Sequence, residues 1–88
     1  MSGVERDGDG FVVDAALLGA AFGRPAEEIR SLMQEGRLTS RCEAGSGADA
    51  GRWRLTFYHG GRAVRLVVDE GGSILGRSSF PVGRRAGA

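Results

Sequence analysis

The chain contains no lysine and no asparagine, a single cysteine, a single histidine and two prolines. All twelve basic residues are therefore arginine. Two readings account for this. Coding bias toward GC-rich codons would enrich Arg together with Ala and Gly, or arginine forks would be selected to grip phosphate or carboxylate. A lone cysteine excludes an internal disulfide and points to a reducing compartment, so a cytoplasmic location is expected. No apolar run approaches the ~20 residues that span a bilayer. The N-terminus carries acids and glycines where a secretory leader would have its apolar core. His and Cys are too few for any metal-ligand spacing, so neither metal nor cofactor is expected. No glycine loop follows a strand and opens a helix, so no phosphate cradle is indicated.

What the chain does have is the composition of an ordinary globular domain, 41% apolar and 26% charged over 88 residues. A chain this short buries a modest core. The net charge of +1 is no footprint for nucleic acid. Its distribution is uneven: residues 1–50 hold five arginines against nine acids, residues 51–88 seven arginines against two. Such halves would suit a head-to-tail dimer, an anionic partner for the basic half, or nothing beyond a solvated surface.

Residues 1–10 are polar and glycine-rich and read as a flexible N-terminus. Asp7-Gly8-Asp9-Gly10 is a turn signal. Glu5, Asp7 and Asp9 would fit the first calcium-ligand positions of an EF-hand loop, but Ala16 then falls where a bidentate Glu is required, which leaves a plain turn. Phe11-Val12-Val13 reads as an edge strand or a lead-in to a helix. Asp14 is a good N-cap, and the first helix is predicted over 14–22, stopped by Gly23. Pro25 suits the first position of a second helix over 25–35, with Glu27 and Glu28 favouring its positive end. Ile29, Leu32 and Met33 form its apolar stripe, and Gly36 ends it.

An antiparallel meander follows, with strands predicted at 38–43, 52–59 and 62–69, and a fourth at 73–77. Gly60-Gly61 reads as a two-residue hairpin turn. It sets His59 against Arg62, Phe57 against Val64, Leu55 against Leu66 and Trp53 against Val68, all on one face. The other face pairs Arg52 with Asp69, Arg54 with Val67, Thr56 with Arg65 and Tyr58 with Ala63. For strand 38–43, one register opposes Arg41 to Arg54 and another opposes Glu43 to Arg54; opposite charges favour the second. Cys42 then lies on the core face as a buried, inert thiol, away from His59. Residues 78–88 read as an extended or disordered tail, since Pro81 and the glycines argue against regular structure.

The expected architecture is α+β, a helical hairpin packed on a three- to four-stranded antiparallel meander, forming a single domain over 11–77. Its outer sheet face carries Arg41, Arg54 and Arg65 with Glu43, Thr56 and Tyr58. An RNA-stacking platform would need two or three exposed aromatics there, and Trp53 and Phe57 point inward.

Residues 15–36 give a short helix, a turn at Gly23 and a second helix, with Gly19 small where the two must approach and Glu35-Gly36-Arg37-Leu38 after them. This stretch resembles winged helix-turn-helix domains of the excisionase and MerR type, which implies DNA binding through helix 25–35. The surface of that helix departs from the resemblance: Glu27 and Glu28 stand where base readers usually carry Arg, Lys, Asn or Gln. A second resemblance runs through Thr39-Ser40-Arg41-Cys42-Glu43, Gly45, Gly47, Asp49, Gly51-Arg52 and Arg54-Leu55-Thr56-Phe57, with Asp14, Gly36 and Val68-Asp69 as flanking marks. The pattern is similar to a family of small, uncharacterised bacterial proteins. That family carries no established activity, so no functional residue transfers from it.

No acid, base and nucleophile assemble in the pattern, so an enzyme is not expected. The leading expectation is an interaction or regulatory module acting as a homodimer; the alternative is a winged-helix-like DNA-binding protein. The candidate binding residues are Glu43, Asp49, Arg52, Arg54 and Arg65, on the outer sheet face and the adjoining loop. They form a charged set that the core does not need.

Overall fold

In the computed structural model, which describes residues 4–8 and 10–82, each helix begins and ends where local chemistry directs. Asp14 caps α1 (Ala15–Phe22): its carboxylate accepts from the Ala16 amide at 2.9 Å. Gly23 stops the helix at φ 73°, a left-handed conformation that costs glycine nothing. Arg24 then donates its amide to the Gly19 carbonyl at 2.8 Å. α2 spans Ala26–Gln34, so Pro25 stands at the cap, one position before its expected place. Its exit is a Schellman turn, with Arg37 donating to the Leu32 carbonyl at 2.8 Å and Gly36 to Met33 at 3.2 Å. Gly19 is the close-approach residue the sequence suggests. A methyl there would collide with the Arg24 carbonyl oxygen, so the α1–α2 turn packs directly on its Cα.

The main sheet has four antiparallel strands in sequence order: β3 (Thr39–Ala44), β4 (Arg52–His59), β5 (Arg62–Asp69) and β6 (Ile74–Pro81). A short 3-10 turn at Gly47–Asp49 separates the first two. Every β4–β5 pair expected from the Gly60-Gly61 turn is present, and both glycines have positive φ, as a primed turn demands. Glu43 lies opposite Arg54, as charge complementarity favours.

Two expectations differ at the ends of the chain. Val4–Asp7, expected to be loose, forms β1 and pairs with β2 (Gly10–Val13) in a second, two-stranded sheet. The turn between them contains Asp9, which lies outside the described residues, so the calcium-loop reading is not addressed there. At the other end β6 runs to Pro81, well past the expected residue 77. Pro81 is compatible with a strand because β6 is an edge and needs no donor on its outer side. A register shift between Val67 and Val68 marks an irregularity in the β5–β6 ladder. Of the expected tail, residues 83–88 lie outside the described residues.

The core is one cluster. Leu18 of α1, Ile29 and Leu32 of α2, and Leu38 meet Leu55, Phe57, Val64, Leu66 and Val68 of the inner sheet face. Val4 joins them at 3% exposure, which gives β1 its reason to be ordered. Met33, expected in the buried stripe of α2, is instead 42% exposed. The two helices are eight and nine residues long, too short to roof a four-stranded sheet. Their cover ends before β3.

Candidate functional site

The uncovered part of the inner face is a groove of about 370 Å³ along β3. Phe11, Val12 and Val13 of β2 wall one side and Met33 of α2 another, over a floor that includes Cys42, Leu55 and Phe57. Val12 is 54% exposed, so two large apolar side chains, Val12 and Met33, face solvent here. Cys42 lies opposite Leu55 and so does sit on the inner face, but it is exposed. The expectation of a buried thiol is corrected: strand alternation sets which face a side chain takes, and the short helices leave that face bare at β3. His59 does not approach Cys42. Its Nδ1 donates to the Arg37 carbonyl at 2.9 Å, and its ring meets Phe22 edge-on at 6.1 Å, which ties the β4 end to α1 and to the turn after α2.

On the outer face, the five candidate residues fall into three groups. Glu43 bridges two arginines, with Arg41 Nε at 3.6 Å and Arg54 Nη2 at 3.8 Å. Asp49 lies 4.0 Å from Arg52 at the far end of the β3–β4 loop. Asp49, Arg52 and Arg54 line a small cleft of about 100 Å³ with Gly45 and Val67. Arg65 stands apart from them. Its Nε donates to the Thr56 hydroxyl at 3.2 Å, and its guanidinium lies 5.1 Å from the Phe80 ring centroid. Arg52 and Asp69 are opposite in register, yet Asp69 accepts from the Gly71 and Ser73 amides at 3.0 and 2.9 Å and caps the β5–β6 turn instead.

The outer face is less open than its sequence suggests. Thr56 is 1% exposed and Ala63 is fully buried. Tyr58 and Phe80 flank Ala63 in register, and Arg65 lies across Thr56. Phe80 falls in the stretch that the sequence reads as an extended tail, yet it lies in β6. The ion pairs are all solvent-exposed, so each contributes little to stability. Among the described residues no group of three or more His, Cys, Asp or Glu is placed to hold a metal ion. No helix among them is long and apolar enough to cross a membrane.

The arrangement therefore offers surfaces: an apolar groove beside a sheet edge, and a charged band on that strand's other face. No curated protein and no solved structure matches the chain. A family model described as "Family of unknown function (DUF6522)" matches residues 1–88, and the chain accordingly belongs to that family.

Proposed function

We propose that this chain is a non-enzymatic interaction module that works as a homodimer. The observation that carries the reading is the edge of β3. Among the described residues the strand ends its sheet, so one row of its backbone groups has no strand partner there. On the same edge lies the groove flanked by exposed Val12 and Met33. An open strand beside uncovered apolar side chains is the surface on which a small domain gains most by association. A regulatory role would follow from what the paired copies present to others. The single thiol fits a reducing compartment. Sedimentation equilibrium across micromolar concentrations tests the dimer: the expected mass is twice the 9.2 kDa of one chain, and a constant 9.2 kDa overturns it.

The alternative is DNA binding through α2. In its favour stand the close α1–α2 turn over Gly19 and the β4–β5 hairpin that follows. Against it, α2 presents Glu27 and Glu28 in its first turn, and Arg24, which would otherwise offset them, is paired with Glu28. Retention on duplex DNA at low salt, lost as salt rises, would support this reading over the first.

A further inference from the structure

The edge of β3 is more specific than an open strand. Gly45 donates its amide to the Arg52 carbonyl at 2.8 Å, in the same register as the β3–β4 pairs. Hydrogen-bonding direction alternates along a strand, so residues 39, 41 and 43 turn their backbone groups toward β4. Ser40, Cys42 and Ala44 turn theirs outward.

A two-fold axis perpendicular to the sheet would set a second β3 antiparallel to the first and keep the inner faces on one side. Few registers satisfy both the outward backbone groups and the charges. Centring the axis on residue 41 places Arg41 against Arg41 of the other copy, and centring it on 43 places Glu43 against Glu43. Both oppose like charges. Centring it on Cys42 places Arg41 opposite Glu43 twice. It also pairs Ser40 with Ala44, and Cys42 with its own copy, through the backbone groups that point outward.

We infer that the homodimer forms by edge-to-edge pairing of β3 about Cys42, so that Arg41 and Glu43 of one copy meet Glu43 and Arg41 of the other across a continuous eight-stranded sheet. The inference rests on the homodimer reading above and gives it a surface and a register. Each groove gains a longer floor from the added strand, which brings the exposed Val12 and Met33 side chains of both copies to the same seam. Glu43 already lies between Arg41 and Arg54 at 3.6 and 3.8 Å, so the added arginine completes a charged ladder across the seam.

The test combines three measurements on the full chain. Arg41→Glu or Glu43→Arg alone sets like charges opposite each other at two symmetric places and should weaken the dimer by about tenfold or more. The double exchange Arg41→Glu/Glu43→Arg should restore most of it. Cys42→Pro removes an outward amide that β4 does not use, so it should abolish the dimer while the circular dichroism spectrum is kept. A short bis-maleimide should link the unaltered chain into dimers through Cys42, the only thiol. A monomeric unaltered chain defeats the homodimer reading and this inference with it. A dimer that withstands Cys42→Pro and both single reversals, and that the reagent does not link, leaves the homodimer reading standing and overturns the β3 register.

Discussion

The Arg6 guanidinium carbon stands 4.6 Å from the centroid of the Trp53 ring. The Phe11 ring lies 5.2 Å from the same carbon, and the two rings are 5.6 Å apart and tilted by 59°. Arg6 Nε also donates to the Gly8 carbonyl at 3.0 Å. One side chain on β1 thus joins its own hairpin to the start of β4. Replacing Arg6 by Ala should cost about 1 kcal/mol and lower the melting temperature by about 4–8 °C. Trp53 emission should shift to the red as its ring becomes more exposed. An unchanged melting temperature and spectrum would show that the apolar contacts of Val4, Phe11 and Val13 hold the N-terminal hairpin without Arg6.

Gly19→Ala is a sharper test of the helical pair. Alanine is the better helix former by about 1 kcal/mol, so propensity alone predicts a more stable protein. The Arg24 carbonyl oxygen occupies the space the methyl needs. The expected result is destabilisation by about 1–3 kcal/mol in urea titration. A gain in stability would mean that the α1–α2 turn yields easily.

Asp14→Ala removes the acceptor of the Ala16 amide. The expected loss is about 1 kcal/mol, and Asp14→Asn should recover most of it because the amide oxygen still accepts. If both variants cost the same, charge at the helix start outweighs the hydrogen bond.

Asp49→Asn and Arg54→Gln each remove an exposed ion pair. Each should change stability by less than about 1 kcal/mol. A larger loss would mark these residues as part of the scaffold; near-neutrality leaves them free to serve an interface.

The middle of the chain was legible because its signals are local. Gly60-Gly61 fixes the turn, strict alternation fixes the faces, and one favourable pair, Glu43 with Arg54, selects the neighbouring register. Helix limits were legible for the same reason, since Asp14, Gly23 and Gly36 act on their immediate neighbours. The N-terminal hairpin was not legible. Val4-Glu5-Arg6-Asp7 has one apolar residue, and what orders it lies far off in sequence: the core that buries Val4, and Trp53, 47 positions beyond Arg6. The exposure of Cys42 and Met33 escaped for a different reason. Periodicity gives the direction of a side chain, while exposure depends on how far the opposing layer reaches. Among the candidate residues, the sequence grouped Arg65 with the Glu43 network by face, whereas its position one strand further over places it with Thr56 and Phe80.

The two borders of the main sheet are unequal. β6 ends on Pro81 and follows an irregular ladder at Val67–Val68; β3 has no proline and no register shift. Proline and ladder irregularities discourage strand addition. A sheet blunted on one side and open on the other has only one valence. If copies pair through β3 as proposed, that valence is consumed and growth would stop at two, so the same asymmetry would guard the chain against running on into a fibre.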